Sequence, residues 1–334
     1  MENIHFKALQ ISESGDKQYI RSIIQRPISD LPAGEVLVRV HYSALNYKDA
    51  LSSVGNKGVT RNYPHTPGID AAGVVELSES SDFEVGDEVI VTSYDLGMNT
   101  SGGLAEYIRV PARWVVSLPA GLSMREAMIN GTAGFTAAMC INALINNGLS
   151  VEKGKVLVTG STGGVGILAV AMLKKLDFEV TAVTGKPEAH DFLSRVGASE
   201  ILSREDLDDK SGRPMLKSIY AGVVDTVGGN ILATALKSIN YGGAAAICGL
   251  VASPDLPTSV LPFILRGNSL FGIDSAECPM TLRKEIWQKL ANDYKPADLE
   301  MLATEITLEE VPEKLDLMLK GGAIGKYLVK MNPN

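Results

Sequence analysis

The stretch Val156–Gly166, VLVTGSTGGVG, constrains this chain more than any other. Four β-favouring residues run into a glycine-rich turn, and an apolar segment follows from Ile167 to Leu176. That order predicts a strand, a tight turn and a helix. Glycines fall at Gly160, Gly163 and Gly166, with an extra one at Gly164. A turn free of Cβ atoms lets backbone N–H groups approach a ligand, and the following helix adds unpaired N–H groups and the positive end of its dipole. Gly160, Thr162, Gly163, Gly164 and Val165 are therefore the expected cradle of a pyrophosphate. The spacing is G-x-x-G-x-x-G rather than G-x-G-x-x-G, so the surrounding βαβ pattern carries the reading as much as the glycines do.

The next strand bears on which dinucleotide binds. Glu179–Thr184, EVTAVT, ends in Thr184-Gly185-Lys186. An NAD site usually places Asp or Glu here, accepting from the ribose 2′-hydroxyl. Without a carboxylate a 2′-phosphate meets no repulsion, and Lys186 offers it a counter-charge. Arg204 follows the third strand, near Ile201-Leu202, at the edge of the same corner. These four positions, Thr184, Gly185, Lys186 and Arg204, predict NADP(H) as the cofactor.

The alternation continues with strands at Ala221–Val227, Ala244–Leu250 and Leu270–Ile273 and a helix at Asn230–Ser238. It implies a parallel sheet with helices on both faces, and ligands on such sheets lie beyond the carboxyl ends of the strands. Gly228, Cys248-Gly249-Leu250 and Asp274-Ser275 fall at those ends. Before Pro119 the chain reads differently, as short strands punctuated by Gly, Pro and Asp: Phe6–Ser12, Tyr19–Ile24, Glu35–His41, Gly73–Leu77, Glu88–Thr92 and Leu104–Val110. Helices are expected at Ser123–Ala143, Met280–Leu290 and Leu308–Lys320, and a last strand at Tyr327–Met331. The fold class is α/β, a β-rich domain plus a doubly wound parallel-sheet domain.

Two domains suit 334 residues. A net charge of −8 argues against nucleic acid and anionic membrane surfaces as partners. The start, MENIHFKALQ, lacks a basic-then-apolar signal pattern, and no uninterrupted apolar run reads as long enough to cross a bilayer. Cys140, Cys248 and Cys278 are few and dispersed, which suits a reducing cytoplasm, and neither they nor His5, His41, His65 and His190 show metal-ligand spacing.

Several stretches occur in one order: SALNYKDAL, PGIDAAG, GTAGFTAA, VLVTGSTGGVG, VVDTVGG, YGGAAAICGL, PFILRG and LFGIDS. Together they resemble the medium-chain dehydrogenase/reductase superfamily over nearly the whole chain, and within it the YhdH/YhfP subgroup of acrylyl-CoA reductases and quinone oxidoreductases. The resemblance implies a GroES-like catalytic domain (residues 1–126 and 277–334) with a Rossmann NADP-binding domain (127–276) inserted. It implies NADPH, reduction of an activated C=C bond and a homodimer. The dimer would pair the segment Ala244–Leu250, continued by Val251–Pro254, as an edge strand with its twin. Tyr47, Leu250, Ile264, Ser275 and Lys326 are assigned to the cofactor's surroundings on the same ground.

Zinc alcohol dehydrogenases of this superfamily carry Cys and His where this chain has Asn46 and Tyr47, and Gly-His-Glu where it has Gly68-Ile69-Asp70. Asn and Ile cannot replace a thiolate and an imidazole around zinc, so no metal is expected. Hydride would instead reach the β-carbon of an enone or enoyl thioester, with donors stabilising the enolate oxygen. Asn46 and Tyr47 are the expected donors. Tyr47 could equally orient the nicotinamide, and Asp49 is either an anchor behind them or an N-cap partner. His65 reads as a turn histidine. Lys57 and Arg61 are candidates to hold CoA phosphates; without such a grip a quinone or enone carbonyl is the alternative substrate. A non-enzymatic NADPH-binding module is the third reading.

Overall fold

The structure, a computed structural model, describes residues 4–331. It divides into two compact units. The first runs to Thr132 and includes Ala276–Ala291 and the chain from Ala303 onward; the second is Ala133–Ser275 with Asn292–Leu302. The sequence places the first seam at 126/127 and leaves 292–302 with the β-rich domain, whereas that segment belongs to the second unit. The outermost ends of the expected domain, residues 1–3 and 332–334, lie outside the described residues.

Strands β1 (His5–Glu13) and β2 (Tyr19–Pro27) form an antiparallel ribbon. They are followed by β3 (Val36–Ala44), the short helix α1 (Tyr47–Ser52), β4 (Asp70–Ser78), β5 (Glu88–Thr92), β6 (Tyr107–Val110) and β7 (Val115–Ser117). Apolar residues two apart, such as Val36, Val38 and Val40 on β3 and Val89 and Val91 on β5, bury one sheet face. Helix α2 (Met124–Asn146) is two helices joined at Gly131, whose φ of +51° and ψ of −156° are not helical. By length and composition α2 could cross a membrane, which the sequence reading denies, but 78% of its apolar window is buried in protein. It is a core helix whose apolar faces pack on both sides of the kink.

In the second unit come β8 (Lys155–Val158), α3 (Gly164–Lys175), β9 (Val180–Val183), α4 (His190–Val196), β10 (Glu200–Leu202), β11 (Tyr220–Asp225), α5 (Gly229–Lys237), β12 (Ile239–Ile247), α6 (Leu261–Arg266) and β13 (Ser269–Gly272). All pairings are parallel, in the order β10-β9-β8-β11-β12-β13. The winding reverses between β8 and β11, and strands covered on both faces become near-continuous apolar runs, as in Val156-Leu157-Val158. Strand β12 starts and ends earlier than Ala244–Leu250, because its partner β11 pairs first Tyr220 with Ile239 and then, across an irregularity, Gly222 with Ala244. It also lies inside the sheet. The edge strands are β10 and β13, so the expected edge pairing through 244–250 is corrected.

The first unit is completed by α7 (Met280–Ala291), β14 (Ala303–Ile306), α8 (Val311–Leu319) and β15 (Lys326–Lys330). β15 pairs antiparallel with β3, Leu328 opposite Ala44, in a seven-stranded sheet ordered β14-β15-β3-β4-β5-β7, with β6 also on β3. The last strand of the chain is thereby laid beside the residues that lead into α1.

Candidate active site

The glycine turn is built as the spacing predicts. Gly160 has φ +59°, and a Cβ there would stand 2.2 Å from Thr226 Oγ1. A Cβ on Gly166 would stand 2.3 Å from the Gly160 carbonyl oxygen. These two glycines let turn, helix and neighbouring loop close on one another. Above Gly163, the N-cap of α3, a Cβ would meet only the Gly160 oxygen, at 3.4 Å. Helix geometry leaves the N–H groups of Gly164, Val165 and Gly166 without intrahelical acceptors. Thr162 is buried in the same turn. The turn thus fits a pyrophosphate: open over Gly163, donors at its floor, and glycines where the backbones touch.

Three residues that motif spacing misses hold this turn. Ser161 donates to the Val158 carbonyl at 2.7 Å and accepts from the Val183 N–H at 2.9 Å, joining β8 to β9. Thr159 donates to Asp225 Oδ1 at 2.6 Å, while Asp225 Oδ2 accepts from the N–H groups of Gly228 (2.8 Å) and Val227 (3.2 Å). Burial pushes the Asp225 carboxyl above its usual range against these donors. The signal is the Asp in VVDTVGG, a carboxylate within an otherwise apolar strand.

At the end of β9 the buried Thr184 accepts from the Lys186 N–H at 3.1 Å. A Cβ on Gly185 would stand 2.7 Å from Arg204 Nε and 2.9 Å from its Cζ, so the guanidinium lies across the glycine. Burial lowers the affinity of Lys186 for its proton; Arg204 lowers it further, while Glu188 opposes. Thr184, Gly185, Lys186 and Arg204 are therefore brought together, with Arg204 across the glycine and the neighbouring Lys186 feeling its charge, where an NAD site carries an acid. Such a corner favours an added anion.

Leu250, after β12, lines a cavity of about 550 Å³ with Cys248, Gly228 and Asp274, at the carboxyl ends of the strands. Ser275 accepts from Thr136 Oγ1 at 2.7 Å. Ile264, on α6, is exposed and is not among the residues of that cavity.

In the first unit the chain leaves β3 through Leu45 and Asn46 into α1. The Asn46 N–H donates to Asp49 Oδ2 at 2.8 Å, and Asp49 Oδ1 accepts from the N–H groups of Gly68 (2.9 Å) and Ile69 (3.1 Å). One buried carboxylate so ties SALNYKDAL to PGIDAAG. Burial pushes the Asp49 carboxyl up to about 7, and the nearby Asp70 adds to this, while the three N–H donors pull it down. The Asn46 amide donates to Asp70 Oδ2 at 2.7 Å and to the Ala44 carbonyl at 3.3 Å, and its Oδ1 accepts from Lys326 Nζ at 3.2 Å. Asp70 also accepts from the N–H (2.9 Å) and hydroxyl (2.5 Å) of Thr132. This is why α2 breaks at Gly131: the Thr132 N–H turns to a carboxylate, and a Cβ on Gly131 would stand 2.4 Å from Asp70 Oδ2.

Several sequence expectations change here. The Asn46 amide is committed within the protein, so it holds the loop rather than offering a donor to substrate. Asp49 is the anchor and also the partner of its own N-cap residue. Lys326, expected around the cofactor, is 3% exposed and donates to Asn46 and to the Leu45 carbonyl at 3.2 Å. Tyr47 is 50% exposed. Lys57 pairs with Glu13 at 3.0 Å and sits 4.6 Å from the Tyr63 ring centroid, whereas Arg61 is exposed. His65 is buried, with Nε2 2.8 Å from the Gly97 carbonyl oxygen. Among the described residues no group of three or more His, Cys, Asp and Glu is arranged to hold a metal ion.

The family described as alcohol dehydrogenase GroES-like domain matches residues 32–120, and that described as zinc-binding dehydrogenase matches 164–292. YhfP of Bacillus subtilis, named as a candidate quinone oxidoreductase, is 48% identical over 98% of this chain and 99% of its own length. Acrylyl-CoA reductase AcuI of Ruegeria pomeroyi is 43% identical over 98% of this chain and 99% of its own. The crystal structure of the Salmonella enterica yhdH oxidoreductase in complex with NADP superposes with a TM-score of 0.94 at 46% identity, covering 98% of this chain and all of that one. That of YhfP with NAD bound gives 0.96 at 47% identity, with the same coverage. Carried by two domain matches in the right order and by near-complete alignment with these relatives, the chain belongs to the medium-chain dehydrogenase/reductase superfamily, in its YhdH/YhfP subgroup.

Proposed function

We propose that this protein is an NADPH-dependent oxidoreductase that reduces an activated carbon–carbon double bond, its substrate class being enoyl thioesters such as acrylyl-CoA. One juxtaposition carries the cofactor choice: the Arg204 guanidinium lies across Gly185, near enough to Lys186 to lower its affinity for a proton, at a strand end with no carboxylate. The relative crystallised with NAD shows that the scaffold admits either dinucleotide, so the preference rests on these two cations. The substrate class rests on likeness to AcuI.

Gly160, Thr162, Gly163, Gly164 and Val165 hold the pyrophosphate, and Thr184, Gly185, Lys186 and Arg204 the 2′-phosphate. Leu250 and Ser275, at the carboxyl ends of β12 and β13, bound the nicotinamide end. When bound, the reduced cofactor supplies a hydride for the β-carbon. Tyr47 donates a hydrogen bond to the carbonyl oxygen on which negative charge builds, the point at which a fixed donor lowers the barrier most, and a proton from solvent then reaches the α-carbon to complete the saturated product. Asp49 and Asn46 keep the loop in register and are not donors to substrate.

The second reading, reduction of a quinone or enone carbonyl, is favoured by one observation: Lys57 is engaged with Glu13, which leaves Arg61 as the remaining candidate cation for a CoA phosphate. NADPH oxidation measured side by side with acrylyl-CoA, crotonyl-CoA and a benzoquinone decides between them. Turnover with the thioesters at least tenfold above the quinone is expected; quinone turnover alone would replace the first reading with the second.

We also assign the protein to a homodimer and to the cytoplasm. Leu250, Val251, Val260, Ile264 and Leu265 are all exposed on the second unit, which has β13 as an edge strand, and the free thiols of Cys140, Cys248 and Cys278 suit a reducing compartment.

A further inference from the structure

We propose that Lys326 is the positioning residue for Tyr47: a buried ammonium that holds the chain immediately ahead of it. This rests on the reading of Tyr47 as the donor to substrate. Lys326 opens β15 and is 3% exposed. Its Nζ donates to the Leu45 carbonyl and to Asn46 Oδ1, both at 3.2 Å. Those are the two residues before Tyr47. The backbone of the same strand reaches the same place, since the Leu45 N–H donates to the Tyr327 carbonyl at 3.0 Å.

Helix α1 has six residues, too few to hold its own start in water, so the cap that Asp49 gives the Asn46 N–H is backed by contacts from outside the helix. The contact to Asn46 has a direction. Its Oδ1 faces the ammonium and its Nδ2 faces Asp70 Oδ2 at 2.7 Å. Turned over, the amide would aim its NH₂ at the ammonium and its oxygen at the carboxylate, repulsive at both ends. Lys326 and Asp70 together therefore lock the amide, and with it the entry to α1. A lysine is seldom buried so completely unless its charge is used. Burial lowers its affinity for a proton, and Asp70 and Asp49 raise it again.

Lys326→Met keeps the length of the side chain and removes its charge and both donors. In that variant the turnover number with acrylyl-CoA should fall at least tenfold, with the Michaelis constant for NADPH within about twofold of wild type. Lys326→Met/Tyr47→Phe should be no slower than the slower single variant by more than about threefold, because the lysine acts through the tyrosine. Amide hydrogen exchange across residues 45–52 should be at least tenfold faster in Lys326→Met, and this readout needs no substrate. If Lys326→Met does not fold, Lys326→Gln carries the same measurements. Losses that multiply in the double variant, or unchanged exchange across 45–52, overturn the proposal. If the wild-type enzyme turns over no thioester or quinone, the functional reading fails, while the exchange measurement still decides whether Lys326 holds this segment.

Discussion

Asp49 and Tyr47 sit two residues apart and differ in every respect that chemistry uses. Asp49 is fully buried, and burial raises its carboxyl from 3.8 to about 7. The folded protein therefore binds that proton more tightly than the unfolded chain does. The stabilisation is complete below pH 3.8 and is lost as the pH rises through about 7. Asp49→Asn removes the titration but also turns an NH₂ toward one of the backbone N–H groups, so the variant is less stable throughout. Urea unfolding at pH 5 and pH 8 should show wild type exceeding Asp49→Asn by a wider margin at pH 5, by on the order of 2 kcal/mol. An equal margin at both pH values would show that the carboxyl is not raised. Tyr47, half exposed, is the residue free to act. Tyr47→Phe keeps the ring and should lower turnover by about 10²–10³, with NADPH affinity within twofold of wild type. If Tyr47→Phe is mild and Tyr47→Ala weakens NADPH binding, the ring orients the cofactor instead. The sequence marks Asn46 and Tyr47 as a pair by position. It does not show that the Asn46 amide is spent on Asp70, 24 residues away, and on Lys326, 280 residues away. Contacts at such separations leave no periodicity to read.

At the scale of the element, the strand, turn and helix around Gly160 are legible because every cue is local. The structure separates what the glycines do. Gly160→Ala places a Cβ 2.2 Å from Thr226 Oγ1 at a positive φ, so it should lower stability by about 1–3 kcal/mol. Gly163→Ala meets nothing closer than 3.4 Å and should melt near wild type, yet weaken NADPH binding, since its methyl group enters the space above the turn. Thermal melts with and without NADPH check both; a Gly163→Ala protein with wild-type cofactor affinity would remove the cradle assignment. Lys186→Ala and Arg204→Ala should each raise the Michaelis constant for NADPH about five- to tenfold, on the order of 1 kcal/mol for partly solvated contacts, with little effect on NADH. Equal effects on both cofactors would contradict the 2′-phosphate corner. The bounds of β12 are not legible, because its register slips within Asn240–Gly243 and the edge on that side of the sheet, β13, lies a helix further on.

Over the whole molecule, the two-unit organisation follows from the change between period-two β patterning and βα alternation. The passage of 292–302 into the second unit does not, since those residues carry no pattern of their own. The exposed apolar residues from Leu250 to Leu265 predict a dimer mass by light scattering at micromolar concentration, and a monomer mass would remove that assignment. The chemistry itself is tested most directly by supplying NADPH carrying deuterium at the transferable C4 position together with acrylyl-CoA, and locating the label in the product by mass spectrometry. One deuterium on the β-carbon of propionyl-CoA is the expected result; label on the α-carbon, or acrylyl-CoA left unreduced while NADPH is consumed with a quinone, would contradict it.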